Sequence, residues 1–449
     1  MHTIAKSTFA IPIGLLIIRK WSRRRKYRNT IKSFNYPFRR DLNFAWMKAQ
    51  AANGNVPPMF WTDGFVKYNL GRLLILADYN LVEQCFKNPL LSMRPTNGRA
   101  ALALEMARED LNVPQLVASI LGNLKLKKGT HPGIASGPYD ANHRRLRKSW
   151  HQTMMKMASR NELEGMVSHV GDQIIAHLRN ESAAIGADAG FDPGTIFMNG
   201  SLNVITAFLC SETYEFNDPA QAEIYTITST VLDRLMEYSM VTTWSALFPE
   251  FMIRRGWHRK LLELIKPDAF DILRYFYHEQ WPLWLRKIKE HAETLDPEQP
   301  RDYLDFLIME TEDNTSDIGY LSAVMTVGAI FTAGADTLST TMRWFVGLMA
   351  QHQHVQARLY AELIKKQKKP SQCEYLLAVI EEVFRFRPVA ESLLHVAEED
   401  VSVDGGGYVI PKGTIIMANL TALHFDPVAF VEPETFNPDR FICDGRFKV

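Results

Sequence analysis

The chain has 449 residues, a net charge of +1, 46% hydrophobic residues and 22% charged residues. This is the composition of an ordinary globular protein, which argues against extensive disorder and gives no reason to expect a nucleic-acid partner. The four cysteines, Cys85, Cys210, Cys373 and Cys443, lie far apart and form no C-x-x-C pair, so we expect neither a disulfide scaffold nor a structural zinc site.

The first 28 residues combine an apolar run with a strongly basic one. Residues 7–18, STFAIPIGLLII, carry no charge, and RKWSRRRKYR follows directly. Positive charge on the C-terminal side predicts a cytosol-facing body. Twelve residues fall short of the roughly 20 that a spanning helix needs, and Pro12 and Gly14 interrupt them. We therefore predict a membrane anchor over residues 1–28, with a domain over 29–449. The alternative is a frayed basic N-terminus.

The rest of the chain reads as mainly helical with a small β-sheet. Short β-like runs occur at Phe65–Asp78 and Val401–Asn419, the second as a hairpin. Helical periodicity is clearest in Asp302–Met309, Asp317–His352 and Tyr375–Arg387. The stretch from residue 318 to residue 350 is long and apolar nearly all round, which predicts a helix buried through the middle of one large domain.

The long helix contains the stretch FTAGADTLSTT, residues 331–341. Its small residues around Gly334 would let a bulky group approach the backbone, and Gly costs up to about 1 kcal/mol in a helix interior. Asp336 and Thr337 follow at once, an acid and a hydroxyl that could relay protons. The alternative is a helix–helix crossing at small residues.

A second candidate constellation lies in YLLAVIEEVFRFRP, residues 375–388. Glu382 and Arg385 stand three residues apart on one helix face and can pair. Apolar neighbours predict that the pair is buried, and a buried guanidinium with five donors needs a further partner. Arg440, in the proline-punctuated segment FNPDRF, is the candidate third member.

In this order and spacing, AGADT, E-x-x-R and F-x-P-D-R-F resemble the haem-thiolate monooxygenases of the cytochrome P-450 superfamily, most closely the fungal membrane-bound members. Further stretches are similar to that family: SMRP at residues 92–95, YDANHRRLRKSWHQTM beginning at Tyr139, and HVAEED at residues 395–400. The resemblance implies a P-450-like helical domain that inserts an oxygen atom of O2 into a small lipophilic molecule. It also implies a haem cofactor, a flavoprotein reductase as electron donor, an endoplasmic-reticulum membrane location and a role in secondary metabolism.

The resemblance also implies roles for individual residues. Arg147, His143 and His395 would contact the haem, and Gly334 would leave room above it. Asp336 and Thr337 would steer protons during oxygen activation. Glu382, Arg385 and Arg440 would form a structural triad that braces the loop carrying the thiolate ligand of the iron.

The sequence departs from the family at the segment that the triad should brace. The family continues into F-x-x-G-x-x-x-C-x-G, whereas this sequence runs FICDGRFKV to Val449. Cys443, three residues after Arg440, lacks the glycine frame and is a poor axial ligand. We therefore expect a chain truncated before the ligand loop, with no metal-ligating residue and with haem binding in question. His143 also stands where the family usually has Trp.

Two hypotheses follow from the sequence. The first is a haem monooxygenase. The second is a haem-free, catalytically inactive remnant or binding protein tethered to a membrane. Basic residues on the predicted helix after Tyr139, namely Arg144, Arg145 and Lys148, could dock an acidic redox partner, or they could simply form a solvated helix face.

Overall fold

The computed structural model describes residues 65–68, 73–93, 99–121, 133–135, 141–158, 161–186, 189–243, 257–312, 317–366, 370–403 and 408–448. The predicted anchor at residues 1–28 lies outside these ranges, so the anchor and its boundary with the following domain stay predictions.

Helices account for most of the described chain, which confirms the predicted mainly α fold with a small sheet region. The helices are α1 (Tyr79–Lys87), α2 (Arg99–Glu109), α3 (Gln115–Leu121), α4 (Ala141–Ala158), α5 (Asn161–Ile185), α6 (Gly194–Cys210), α7 (Pro219–Thr243), α8 (Trp257–Ile265), α9 (Asp271–Tyr275), α10 (Trp281–Glu293), α11 (Tyr303–Glu312), α12 (Asp317–Gln351), α13 (Gln353–Lys366), α14 (Glu374–Phe386) and α15 (Leu420–His424). Short 3-10 turns lie at Pro89–Leu91, Pro267–Phe270, Pro370–Gln372 and Pro438–Phe441, and a π-helical turn at Phe276–Gln280.

The strands form small sheets beside the helices. They are β1 (Phe65–Tyr68), β2 (Leu73–Leu76), β3 (Ser392–Val396), β4 (Val401–Val403), β5 (Tyr408–Ile410), β6 (Ile415–Asn419), β7 (Ile442–Cys443) and β8 (Arg446–Phe447). The order in the main sheet is β1-β2-β6-β3, with β2 parallel to β6 and the other pairs antiparallel. The apolar side chains of Leu74, Ile75 and Leu76 on β2 are all buried, and because successive side chains point to opposite faces of a sheet, both faces are covered at this strand.

The predicted hairpin at Val401–Asn419 is only partly a hairpin. Strands β4 and β5 pair antiparallel, with Val401 opposite Ile410. A turn at Gly413, whose φ is +76°, then redirects the chain. Strand β6 consequently leaves the hairpin and joins the main sheet between β2 and β3.

Helix α12 runs for 35 residues and confirms the long helix predicted from the sequence. Its first half is buried, whereas its second half exposes several side chains, so the predicted burial along its whole length is too broad. Within the described residues, the window from Leu321 is apolar and long enough to cross a membrane, yet 61% of it is buried inside the protein. Burial of this kind is that of a core helix.

Close helix packing occurs where glycines face isoleucines. A Cβ atom on Gly334 of α12 would lie 2.6 Å from the Cδ1 atom of Ile205 on α6. A Cβ on Gly200 of α6 would lie 2.4 Å from Cδ1 of Ile174 on α5. Glycine therefore lets α6 approach both neighbours closely.

A buried polar cluster joins α10 to the start of α11. The Nε2 atom of His291 lies 3.1 Å from Oδ2 of Asp302, whose Oδ1 accepts a 3.1 Å hydrogen bond from the Asp305 amide. Arg301 donates to both carboxylate oxygens of Asp305 at 2.8 and 2.9 Å. The possible ligand atoms of His291, Asp302 and Asp305 lie within 4.8 Å of one another. Helix capping and the arginine already account for both carboxylates, so we assign the cluster to structure.

Two glycine substitutions test the packing argument. A Cβ on Gly171 of α5 meets no atom within 4 Å, so Gly171→Ala should raise the free energy of unfolding by about 0.5–1 kcal/mol. Gly200→Ala should lower it by roughly 1 kcal/mol, because overpacking outweighs the gain in helix propensity. Urea denaturation of the two variants measures both changes. A gain in both would contradict the proposed close contact of α5 and α6.

The His291–Asp302 contact should make stability depend on pH. Burial lowers the pKa of His291, but the hydrogen bond and charge of Asp302 outweigh burial and raise it above its ordinary value of 6.5. The stabilisation is then complete below the unfolded-state pKa and is lost as the pH rises through the raised pKa.

Thermal unfolding of the native protein and of His291→Gln, compared from about pH 6 to about pH 9, measures this dependence because histidine titrates in that range and the two proteins differ at His291 alone. We expect the melting temperature of the native protein to fall more than that of His291→Gln as the pH rises over this range. Parallel curves for the two proteins would refute the assignment.

Candidate functional site

Glu382 lies on the buried face of α14. Apolar residues at Tyr375, Ala378, Val379 and Val383 fall on this face by helical periodicity, and Glu382 falls among them. Its side chain is 0% exposed. Because burying an unpaired carboxylate is strongly unfavourable, the site requires cations close to Glu382.

Arg385 supplies the first cation, and all five of its donors are used. Its Nε and one terminal nitrogen donate to the two carboxylate oxygens of Glu382 at 2.7 and 2.9 Å. The remaining donors reach the carbonyl oxygens of His424 and Pro433, both at 2.9 Å, and that of Thr435 at 3.3 Å. A bidentate pair on one helix therefore also holds a segment about 40 to 50 residues further along the chain.

Arg440 supplies the second cation. Its Nε lies 3.1 Å from one carboxylate oxygen of Glu382 and 3.2 Å from the other. Its terminal nitrogens donate to the carbonyl oxygens of Val431 at 3.0 Å, Thr435 at 3.0 Å and Glu432 at 3.4 Å. The structure thus brings Glu382, Arg385 and Arg440 into contact. Their predicted part in bracing a ligand loop stays a prediction.

The cluster organises the irregular chain between α15 and the 3-10 turn at Pro438–Phe441. The Asn437 amide donates to Glu382 at 2.7 Å, which adds a backbone donor to the two guanidinium groups. The Arg385 guanidinium also lies over the rings of Phe425 and Phe430, at 5.3 and 5.2 Å from their centroids. This segment therefore lacks most hydrogen bonds of regular secondary structure. It is held instead by hydrogen bonds to one carboxylate and two guanidinium groups.

The second half of α12 has an open face. Ala333, Thr337 and Trp344 are exposed and share one side of the helix. The Thr337 hydroxyl donates to the Ala333 carbonyl oxygen at 2.9 Å. Asp336, the other residue of the predicted proton relay, is half-buried. These side chains are open to solvent, and the relay itself stays a prediction.

Gly334 lies against Ile205 of α6, where an added Cβ would clash. The helix–helix contact therefore accounts for this glycine without a cofactor, as the alternative interpretation of the sequence held. Its predicted role above a haem stays a prediction.

The remaining predicted haem contacts lie on other elements. His143 is buried on α4, and Arg147 is exposed one turn later on the same helix. His395 is buried on β3, where its ring stacks on Phe86 with centroids 4.2 Å apart. The roles of these three side chains toward a cofactor stay predictions.

The four cysteines do not fit a thiolate ligand for iron. Cys85, Cys210 and Cys373 are buried. Burial raises the pKa of Cys85 to about 11 and raises that of Cys210 well above its usual value, which favours the neutral thiol. Cys443 is exposed on β7, with its Sγ atom 3.9 Å from the Asp444 carboxylate. Cys443 also lacks the glycine frame of the family's ligand loop, so none of the four thiols matches that ligand.

Sequence reasoning missed the groups that complete the cluster. The acceptors from His424 to Thr435 are backbone carbonyls, which carry no signal in residue type. The carboxylate of Glu362 on α13 also accepts from the Tyr375 and Leu376 amides at 3.0 and 3.1 Å and so caps the start of α14. Asn437 was detectable, because asparagine before proline marks a turn, and its Oδ1 accepts from the Asp439 amide.

A family profile described as Cytochrome P450 matches residues 121–446. The chain is 29% identical over 276 residues to Cytochrome P450 2E1 of Oryctolagus cuniculus, which covers 58% of this chain and 52% of that protein. It is 32% identical over 273 residues to Cytochrome P450 2J2 of Homo sapiens, which covers 58% and 51%. The chain spans about half the length of these curated relatives.

A further relative and a solved structure extend the comparison. The chain is 31% identical over 257 residues to the steroid 17-alpha-hydroxylase/17,20 lyase of Ictalurus punctatus, covering 54% of this chain and 47% of that protein. A solved zebra fish cytochrome P450 with progesterone is similar with a TM-score of 0.61 and 24% identity, and covers 82% of this chain and 78% of that one. The structural likeness bears on the fold alone. These relatives are vertebrate proteins, so the predicted closeness to fungal members gains no support from them.

Arg440→Ala tests the energetic role of the cluster. We expect the free energy of unfolding to fall by roughly 1.5–3 kcal/mol, the usual contribution of hydrogen bonds to charged groups, because Glu382 loses a partner while fully buried. Arg286→Ala is the matched control, since Arg286 pairs with Glu223 where both side chains are 50% exposed. That control should cost about 0–1 kcal/mol. Urea denaturation giving equal losses for the two variants would contradict the assignment.

Proposed function

The chain belongs to the cytochrome P450 family, and on that basis we propose that the protein is a haem-dependent monooxygenase acting on a small lipophilic substrate. Such an enzyme inserts one oxygen atom of O2 into the substrate. The observation that carries the proposal is the family match over residues 121–446, which includes the contact of Glu382 with Arg385 and Arg440. We propose that these three residues brace the loop that carries the thiolate ligand.

The finer parts of the proposal are the substrate class, the metabolic role and the electron donor. The name of the catfish relative refers to steroids, which supports an apolar substrate class. We place the reaction in secondary metabolism and take a flavoprotein reductase as electron donor. The exposed side chains of Arg144 and Lys148 on α4 would offer that partner a basic surface.

The proposed location is the endoplasmic-reticulum membrane, with the folded domain facing the cytosol. The support is the sequence of residues 1–28, in which an apolar run precedes a basic one. A polybasic segment of this kind also attracts the anionic lipids of a cytoplasmic leaflet.

The proposed cofactor is haem, which with a thiolate ligand favours cleavage of the O–O bond. The residues of this chain that would hold it are Arg147, His143 and His395. The donor set is incomplete, because none of the four cysteines fits the thiolate. We therefore derive no catalytic step through the haem for this chain.

A second candidate function follows from this mismatch. Three thiols are buried and the fourth is exposed on β7, so we propose as the second candidate a haem-free protein that keeps the fold and binds a ligand or partner at a membrane. In that protein the Glu382 cluster would serve folding only.

Absorbance of the reduced, carbon monoxide-treated protein separates the two candidates. It should be measured on the 449-residue chain and on the product of the full transcript, read through the codon for Val449. We expect no thiolate-type band from the 449-residue chain and such a band from a product that continues into a glycine-framed cysteine loop.

Two results would overturn these expectations. A thiolate-type band from the 449-residue chain, abolished by Cys443→Ser, would make Cys443 the ligand. No bound haem in either protein would favour the haem-free candidate over the monooxygenase.

A further inference from the structure

One carboxylate holds the turn between α2 and α3 against a distant helical segment. Asp110 directly follows α2, and its Oδ1 atom accepts a hydrogen bond from the Asn112 amide at 2.9 Å. Its Oδ2 atom accepts from the Tyr277 hydroxyl at 3.1 Å and lies 2.9 Å from Nε2 of His278. The hydrogen bond from His278 lowers the pKa of Asp110, so Asp110 is a carboxylate at neutral pH. We call the contact of Asp110 with Tyr277 and His278 the clasp.

The clasp closes on the π-helical turn at Phe276–Gln280, which joins α9 to α10. The Trp281 amide donates to the Phe276 carbonyl oxygen, five residues earlier, which is the hydrogen bond of a π turn. Such a turn inserts one residue into an α-helix and is frequent at functional sites. Loss of the insertion would shift the register by one residue and rotate the residues on one side of it by about 100°. The π turn is therefore an element with two discrete arrangements.

The last residue of the π turn contacts the central helix. Gln280 is 5% exposed, and its Nε2 atom donates to the Thr332 hydroxyl of α12 at 3.1 Å. That hydroxyl donates to the Gly328 carbonyl oxygen at 2.9 Å. A Cβ atom on Gly328 would lie 3.1 Å from Oε1 of Gln280, so glycine leaves room for the amide. A change of register would withdraw the amide and remove a hydrogen bond from the buried Thr332 hydroxyl, which is unfavourable.

We propose that the π turn couples the α2–α3 turn to the middle of α12, and that the clasp fixes the register of the π turn. With the clasp closed, Tyr277 and His278 contact Asp110 while Gln280 contacts Thr332. With the clasp open, the π turn reverts to the α-helical register and Gln280 leaves Thr332.

The coupling gives the surface turn a route to the central helix. Leu111, within the turn, is 99% exposed, so a ligand or partner protein that displaces the turn would open the clasp and act on α12 beside Ala333. The coupling uses side chains of this chain alone, and it therefore applies equally to both candidate functions.

Hydrogen exchange followed by mass spectrometry tests the coupling in the 449-residue chain. Asp110→Asn keeps the size of the side chain and removes its charge, and Thr332→Val removes the hydroxyl at the other end. Asp192→Asn is the matched control. Asp192 likewise accepts from an amide two residues later, that of Gly194 at 2.9 Å, and from a basic side chain on a distant helix, that of Arg343 at 2.6 Å.

We expect Asp110→Asn to raise the exchange rates of the amides in residues 276–281 and 328–332 several-fold. Thr332→Val should raise the exchange rates in residues 110–113, because a coupling free energy between two places is reciprocal. The control should leave the exchange rates in all three segments unchanged.

Three results would overturn the proposal. The first is faster exchange confined to residues 99–121 in Asp110→Asn, which would show that Asp110 anchors only its own turn. The second is unchanged exchange in residues 110–113 of Thr332→Val. The third is an equal effect in the control, or an equal rise along the whole chain, which would show general destabilisation. If Asp110→Asn fails to fold, His278→Gln takes its place, since it opens the clasp from the other side, and the same outcomes decide.

Discussion

Burial of the Glu382 carboxylate is the constraint on which the C-terminal part of the structure depends. A fully buried charge is tolerated only with close counter-charges and complete hydrogen bonding. Arg385 and Arg440 together bring one positive charge more than Glu382 neutralises, and the carbonyl oxygens between His424 and Thr435 accept the donors left over. The electrostatics of one helix residue thereby determine the path of a segment with little regular structure.

The central helix shows how one stretch of sequence can satisfy two demands. On one side, Gly334 admits the Ile205 side chain of α6. On another side, Ala333 and Thr337 face an open space. The two interpretations of the small-residue stretch, a helix crossing and room for a bound group, are therefore compatible, because they concern different sides of the same helix. Only the first is demonstrated by a contact.

Much of the fold could be predicted from the sequence because the decisive signals were periodic. The long apolar run gave α12, and the apolar spacing in residues 374–386 placed Glu382 on a buried face. The third partner, Arg440, was also predictable, since a buried guanidinium and carboxylate demand further partners and the prolines around Arg440 indicated a fixed loop. These inferences needed only residue type and spacing.

The features that could not be predicted depend on contacts between residues that are distant in sequence. The position of β6 between β2 and β3 depends on a redirection at Gly413 that brings together residues more than 300 positions apart. The capping of α14 by Glu362 depends on how two helices meet. The exposure of four apolar side chains on α8 was equally hidden, because a periodic apolar pattern looks the same in sequence whether a helix packs inward or faces solvent.

The distance along the chain between Glu382 and Arg440 has a consequence for how the protein folds. The two residues are 58 positions apart. Closing a loop of that length lowers the conformational entropy of the chain before the stabilising contact has formed. During synthesis, α14 and its Arg385 emerge well before Arg440, so Glu382 first has only one cation beside it. The segment from His424 to Arg440 is then expected to close late and to open as a single cooperative unit. In a nascent chain this stretch would be the last part of the cluster to become resistant to proteases.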